Sequence, residues 1–268
     1  INSLGNVLNS GLDLLISNLM LTGIETGQIA ITKQIGTIFS LLYSTISQPF
    51  QPQMLKSYAS GDMKKFVSEL TKAMTVCGLF SNIAFAGFIA LGRLYYELWL
   101  PEQNGDLLYT LTILTIFTSI TEGVVSPVYY VNTLTLKKKI PCLVTVGCGL
   151  LNAGSMYLLL SYTSMGVYAI VLTTAVIMTI SNFFFTPIYA SKCLNINPMQ
   201  IYKVLIRHVF SVMLMCPLFL SIARLLQPNS WLGLIFAAMI MSLSGTLVHV
   251  VIMGNAKNVI SKLKRILK

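Results

Sequence analysis

The sequence predicts an all-α integral membrane protein that crosses the bilayer many times. Its 268 residues are 55% hydrophobic and only 10% charged, and the mean hydropathy is +0.76. A soluble domain carries about 25% charged residues. Eight hydrophobic stretches are each close to the length of roughly 20 residues that a helix needs to cross a bilayer core. We therefore expect eight transmembrane helices and no sizeable soluble domain.

The expected spans follow one another through short connections. They are, in order, Ile1–Leu21, Gln28–Phe50, Leu70–Leu91, Leu107–Asn132, Pro141–Tyr162, Gly166–Tyr189, Val204–Leu226 and Trp231–Met253. The connection from Gln51 to Phe66 predicts a short helix on the membrane surface. The basic tail, residues 254–268, has an apolar face and predicts either an amphipathic helix that binds membrane lipids or a simple topology signal.

Basic residues predict the orientation of the chain. The formal charge is +10, with 18 Lys and Arg against 8 Asp and Glu. All the basic residues except Lys33, Arg93 and Arg224 fall in the tail or in and beside the connections after the second, fourth and sixth spans. By the positive-inside rule this side is cytoplasmic, which places both ends of the chain in the cytoplasm. Because membrane orientation explains these charges, we do not expect nucleic acid as a partner.

Polar residues follow one face of the first span. Asn2, Asn6, Asn9, Asp13 and Ser17 fall within an arc of about 80° at helical pitch. Side chains of this kind join helices by hydrogen bonds or line a water-filled cavity. Carboxamides and a carboxylate concentrated on one stripe favour the cavity.

The second span carries a matching stripe. Lys33, Thr37, Ser40, Ser44 and Ser47 share an arc of about 80°. Since Lys33 and Asp13 lie at similar depth on antiparallel neighbours, we expect an ion pair, which lowers the cost of both charges. The pair is compatible with a structural role, a gate or a headgroup-binding site. Among these residues Lys33, Thr37 and Ser40 are our candidates for contact with a substrate.

Glu122 is the third charge within a span. Thr115, Thr118, Ser126 and Tyr129 share its helical face. Pro127 follows it and predicts a kink or a loosened helix at that point. The carboxyl group is suited to binding a proton, a cation or sugar hydroxyls, and equally to a hydrogen bond with a neighbouring helix.

Several classes of chemistry have no support in the sequence. There is no P-loop, HExxH or GxSxG motif and no paired-histidine metal spacing, so we expect no enzyme, metal or cofactor. The five cysteines form no CxxC pair and are expected to be buried free thiols. His208 and His249 are expected at the membrane interface. The chain opens on Ile1 inside a hydrophobic stretch, and we expect it to be the C-terminal part of a longer protein.

Specific residues also suggest a family. Four short segments follow one another in the first part of the chain: Gly11-Leu12-Asp13, Gly23 to Gly27, Ser47-Gln48-Pro49-Phe50-Gln51-Pro52-Gln53 and Ser60-Gly61-Asp62. This pattern resembles the start of the second lobe of the polysaccharide flippases of the MOP superfamily. These proteins translocate lipid-linked precursors of O-antigen, capsule and other oligosaccharides. Asn152 and Gly166 weakly resemble residues in the later helices of that lobe. Val167-Tyr168-Ala169 differs from the run of small residues that is usual in the family.

The resemblance implies a division of the chain and a mechanism. Residues 1–190 would form the second six-helix lobe, residues 191–253 two additional helices, and the first lobe would lie outside this chain. The lobes of such transporters rock to expose a central cavity to each side of the bacterial inner membrane in turn. The implied substrate is a polyprenyl-diphosphate-linked oligosaccharide, and the implied partners are membrane lipids and a polysaccharide polymerase complex.

The resemblance also gives roles to the polar stripes. Asn2, Asn6, Asn9 and Asp13 would contact sugar hydroxyls, Lys33 would attract the diphosphate or hold Asp13, and Glu122 would couple movement to an ion. Two rival functions stay open, a drug/cation antiporter of the same superfamily and a membrane-embedded glycan-processing enzyme. A purely structural subunit leaves the three charges within the spans without a purpose.

Overall fold

The computed structural model describes the backbone of residues 2–254 and the side chains of residues 11–254. Within this range the chain is helical and has no strand. The helices are α1 (Asn2–Met20), α2 (Gly23–Ser47), α3 (Gln51–Ala59), α4 (Met63–Trp99), α5 (Gly105–Ile116), α6 (Ser119–Leu134), α7 (Lys139–Tyr162), α8 (Val167–Ile180), α9 (Thr186–Leu194), α10 (Met199–Leu226) and α11 (Trp231–Met253). The expected tail helix and the side chains of Asn2, Asn6 and Asn9 lie outside the described residues.

Length and hydropathy confirm the all-α membrane fold class. Within the described residues seven helical stretches are long and apolar enough to cross a membrane, and Gly11–Met20 is a shorter apolar stretch. The seven are Gly23–Ala59, Met63–Trp99, Gly105–Leu134, Lys139–Tyr162, Val167–Leu194, Met199–Leu226 and Trp231–Met253. They coincide with the second to eighth expected spans, and α1 lies where the first was expected.

Local sequence signals fix where several helices begin. The hydroxyl of Thr22 and the carboxylate of Glu25 form a capping box at the start of α2. Asp62 caps α4 by accepting a hydrogen bond from the Lys65 amide at 3.0 Å, after a turn that needs Gly61 at φ +73°. Asn104 caps α5, and Ser230 caps α11, in the same way.

The helices pack into a bundle with α4 near its centre. This 37-residue helix contacts α6, α10 and α11 most extensively, and also α2, α3 and α5. A separate group forms where α7 packs on α1 and α8. α2 and α5 contact members of both groups, so they lie between them. Polar residues of α2, α5, α6 and α8 face a common cavity between the groups.

Two of the long stretches are interrupted within the bundle. α5 and α6 are separated at Phe117 and Thr118, where backbone bonds such as Ile120 N to Phe117 O (3.2 Å) join residues three apart. A π-helical turn, Ser181–Phe185, separates α8 from α9. Pro127, where a kink or a loosened helix is expected, lies buried within α6, and the helix continues through it. Tight or bulged turns of this kind commonly mark functional sites.

The two histidines do not face the membrane interface as expected. His208 and His249 are buried between α4, α10 and α11, with ring centroids 4.9 Å apart. Gly78 makes this possible, because a Cβ atom at that position would overlap the His208 ring. A ring nitrogen of His249 lies 3.2 Å from the Thr75 carbonyl oxygen. The histidines therefore join α10 and α11 to α4.

Candidate functional site

A polar cleft of about 540 Å³ lies between α2, the α5–α6 break and α8. We call it the central cleft. It is lined by Lys33, Gly36, Thr37, Ser40, Thr115, Ile116, Thr118, Ser119, Glu122, Tyr129, Thr174, Met178 and Asn182. Apart from Gly36, Ile116 and Met178, every lining residue is polar. A cleft of this composition within an apolar bundle is suited to a hydrated or hydroxyl-rich ligand.

Lys33 and Asp13 form the expected ion pair at the edge of this cleft. The Lys33 side chain is 19% exposed and lines the cleft, whereas the Asp13 side chain is wholly buried. Thr174 donates a hydrogen bond to one Asp13 carboxylate oxygen at 3.2 Å, and Asn152 donates to the other at 3.3 Å. The carboxylate is thus held by three helices and in turn fixes the ammonium group of Lys33.

Glu122 stands apart from this pair. Its carboxylate accepts hydrogen bonds from the Ser40 hydroxyl at 3.2 Å and the Thr118 hydroxyl at 3.4 Å. Among residues 11–254 it forms no salt bridge. Thr118 lies four residues before Glu122, at the start of α6, and is therefore its neighbour one helical turn away. The central cleft therefore holds one neutralised ion pair and one carboxyl group without a counter-charge.

The remaining predicted site residues divide into two groups. Thr37 and Ser40 line the central cleft with Lys33, and Thr37 also bonds back to the Lys33 carbonyl oxygen at 3.0 Å. Ser17 does not line it: its hydroxyl is buried and donates to the Asp13 carbonyl oxygen at 2.5 Å. A serine hydroxyl can donate to the carbonyl oxygen four residues earlier in its own helix, so it needs no partner in a cavity.

Two site residues were not identified as such from the sequence. Asn152 is 1% exposed and reaches Asp13 from α7, and Thr174 reaches it from α8. The signals for Asn152 were a carboxamide in the middle of an apolar span and a weak resemblance to a later helix of the flippase lobe. Thr174 gave no signal, because a threonine in a span commonly bonds to its own helix.

A second cavity of about 470 Å³ opens between α6, α7 and the α8–α9 segment. We call it the second groove. It is lined by Tyr129, Asn132, Thr133, Lys138, Pro141, Val144, Thr145, Cys148, Met178, Ser181, Asn182, Phe185, Thr186 and Tyr189. Tyr129, Met178 and Asn182 line both cavities, and the Tyr129 hydroxyl donates to the Asn182 carboxamide oxygen at 2.6 Å. That hydrogen bond marks the junction of the two cavities.

The described part of the chain contains no cluster of metal-binding side chains. Within it no three His, Cys, Asp or Glu residues are grouped so that they could hold a metal ion. All five cysteines are free thiols, and Cys148 lines the second groove.

Fold and site together define a multi-pass integral membrane protein with polar cavities inside its bundle. The chain is similar to a curated relative, the uncharacterized membrane protein EpsK of Bacillus subtilis (strain 168), with 26% identity over 235 residues. The alignment covers 88% of this chain and 46% of EpsK, so the chain spans about half the length of that relative. No protein-family model matches the chain. No solved structure matches it significantly.

Proposed function

We propose that the chain is part of a bacterial inner-membrane flippase for a polyprenyl-diphosphate-linked oligosaccharide in polysaccharide, O-antigen or capsule biosynthesis. The observation that carries the proposal is the central cleft. Eight of its 13 lining residues carry a hydroxyl or carboxamide group, and Lys33 and Glu122 are its charged members. Such groups exchange hydrogen bonds with sugar hydroxyls while the lipid tail stays in the bilayer. The resemblance of the first two spans to the polysaccharide flippases supplies the substrate class.

In this proposal the cleft residues have different roles in substrate binding. Thr37 and Ser40 contact sugar hydroxyls, and Lys33 contacts an anionic group when it leaves Asp13. Asn2, Asn6 and Asn9 contact further sugar hydroxyls. Glu122 couples the change of access to a proton or cation. Asp13 acts through Lys33, since its own carboxylate is buried.

The rest of the proposal concerns the whole protein. Residues 1–190 form the second lobe and residues 191–253 two additional helices, while the first lobe lies outside this chain. The basic connections face the cytoplasm, and both ends of this chain lie there. The activity is transport, without an enzymatic step or a cofactor. A polysaccharide polymerase complex is the proposed recipient of the flipped lipid.

A drug/cation antiporter is a second candidate function. Glu122 favours it, because a carboxyl group in the cleft with only hydroxyl partners can bind a cation. The hydroxyl-rich lining, the buried Asn152 and the paired Lys33 favour the flippase.

Deletion of the full-length gene tests the two candidates. For a flippase we expect lipid-linked oligosaccharide to accumulate on the cytoplasmic face of the membrane, and the intact gene to relieve this. Normal surface glycan with an altered tolerance of cationic drugs would instead identify the antiporter. The Glu122→Gln variant, which keeps both hydroxyl contacts, should abolish relief in the first case at normal protein levels.

A further inference from the structure

The second groove is a separate polar surface that the proposed transport roles leave unused. It is built from the end of α6, the start of α7 and the π-helical turn with α9. These segments lie beside the connection that carries Lys137, Lys138 and Lys139. The groove therefore opens toward the basic side of the protein, whereas the Lys33–Asp13 pair lies toward the other end of the spans.

The walls of the groove offer several hydrogen-bonding groups. Asn132 lines it, and the Asn132 carboxamide oxygen is buried without a hydrogen-bond partner among the described residues. Thr133 is exposed on the same wall. The hydrogen bond from Tyr129 to Asn182 closes its inner end. The carboxamide and hydroxyl groups of this wall are suited to a ligand that both donates and accepts hydrogen bonds.

An aromatic surface forms the opposite wall. The rings of Phe185 and Tyr189 are stacked, with centroids 5.3 Å apart and planes 15° apart. The Tyr189 hydroxyl donates to the Lys137 carbonyl oxygen at 2.9 Å, which ties this wall to the α6–α7 connection. The π-helical turn ends at Phe185, and its extra residue sets which side chains face the groove. Aromatic faces beside carboxamides and hydroxyls match a sugar ring, whose C–H bonds lie on its faces and whose hydroxyls lie at its edge.

Charge excludes some other ligands. Among the described residues that line the groove, Lys138 is the one charged side chain and none is a carboxylate. A cation therefore finds no counter-charge among them, in contrast to the central cleft with Glu122. An acyl chain would strip water from the hydroxyls of the wall without replacing its hydrogen bonds.

We propose that the second groove is a saccharide-binding subsite, separate from the central cleft, which holds the glycan on the basic side of the membrane. The proposal rests on the proposed flippase function, because that function supplies the glycan. Asn132 and Thr133 exchange hydrogen bonds with sugar hydroxyls, Phe185 and Tyr189 stack on a sugar face, and Lys138 donates at the mouth. The Tyr129–Asn182 hydrogen bond separates this subsite from the central cleft.

Cys148 provides a direct reporter of occupancy. It lines the groove, whereas Cys142 lies on the same helix, is also half-buried and does not line it. We would treat the full-length protein in detergent with N-ethylmaleimide and follow the modification of each cysteine by mass spectrometry. The probe is the lipid-linked saccharide extracted from the deletion strain. At about ten times its dissociation constant, modification of Cys148 should slow roughly tenfold while that of Cys142 is unchanged.

Two further probes identify the part of the lipid that binds. The glycan released by mild acid should also protect Cys148, and polyprenyl diphosphate without sugar should not. Equal protection by the sugarless lipid would overturn the saccharide assignment, since the diphosphate would then fill the groove. The Asn132→Leu variant, with the same branching but without hydrogen-bonding groups, should need a higher concentration of glycan for the same protection.

The outcome is independent of the flippase test. If the deletion strain accumulates the lipid-linked saccharide and none of the probes protects Cys148, the subsite is refuted and the flippase stands. If protection is equal at Cys148 and Cys142, it reflects a general change of the protein, and the subsite is likewise refuted. If no lipid-linked saccharide accumulates, the proposed function fails first.

Discussion

At the scale of single residues, the Asp13–Lys33 pair is asymmetric. Asp13 is wholly buried and is held by Thr174 and Asn152, whereas Lys33 retains access to the central cleft. Removal of one member of a buried pair leaves the other uncompensated, and the cost depends on whether that residue can reach water. The two members should therefore differ in what their loss does to the protein.

We expect Lys33→Met to destabilise the full-length protein more than Asp13→Asn. The first leaves a buried carboxylate without a counter-charge, at about 3–5 kcal/mol. The second leaves an ammonium group that can turn into the cleft, at about 1–3 kcal/mol. Thermal unfolding in detergent measures both, and the double variant should recover part of the loss because it leaves no buried charge. A Lys33→Met protein as stable as Asp13→Asn would contradict the asymmetry.

The sequence predicted this pair but only part of its surroundings. Helical spacing and depth were sufficient for Asp13 and Lys33, because both depend on local geometry. Asn152 and Thr174 come from helices more than a hundred residues further along the chain, and which of their faces meets α1 depends on tertiary packing. Ser17 shares the stripe of Asp13, yet a bond to its own helix withdraws it from the cleft.

At the scale of helices, α4 and α6 approach closely because Gly123 has no side chain. A Cβ atom at Gly123 would overlap the Ser81 side chain, whose hydroxyl donates to the Ser119 carbonyl oxygen at 2.7 Å across the same contact. The α5–α6 break and Glu122 lie immediately before this contact. The position of Glu122 in the cleft therefore depends on the α4–α6 packing.

Gly123→Ala should push these helices apart and destabilise the protein by about 1–3 kcal/mol. Gly87→Ala on α4 is the matched control, since a Cβ atom there meets nothing within 4 Å. The control should be neutral or gain up to about 1 kcal/mol from helix propensity. Unfolding temperatures of the two variants decide this prediction, and equal temperatures would refute the close contact.

Helix boundaries show what local sequence can and cannot specify. Thr22, Asp62, Asn104 and Ser230 begin helices where their side chains cap free amides, which is a local property. The α5–α6 break at Phe117 and Thr118 has no such local signal, because no proline or glycine occurs there. Local sequence therefore specifies these caps but not this break.

At the scale of the whole molecule, the distribution of basic residues predicts which side faces the cytoplasm. Loop charge and the number of spans are properties of composition, so they needed no tertiary information. Prediction of the line along which the helix groups meet requires tertiary information, because helices with similar apolar faces can be arranged in several ways. The second groove joins the α6–α7 region to the later α8–α9 segment, so it also depends on tertiary packing and was not predicted.

Cysteine labelling tests the orientation. We expect Lys137→Cys, between α6 and α7, to react with a membrane-impermeant maleimide only after cells are opened. Gln103→Cys, between α4 and α5, should react in intact cells whose outer barrier is permeable. Both positions are in exposed connections, which makes them matched in accessibility. The reverse pattern would invert the chain and place the second groove on the outer side.

The unpaired carboxyl group of Glu122 also has an electrical consequence for the proposed transporter. Asp13 and Lys33 together carry no net charge, so a voltage across the membrane does almost no work on them when the cleft changes sides. An ionised Glu122 is different, because moving one elementary charge through 100 mV corresponds to about 2.3 kcal/mol. In such a transporter the resting potential biases the cleft toward one side when Glu122 is empty. Binding of a cation or proton to Glu122 neutralises its charge and removes this bias.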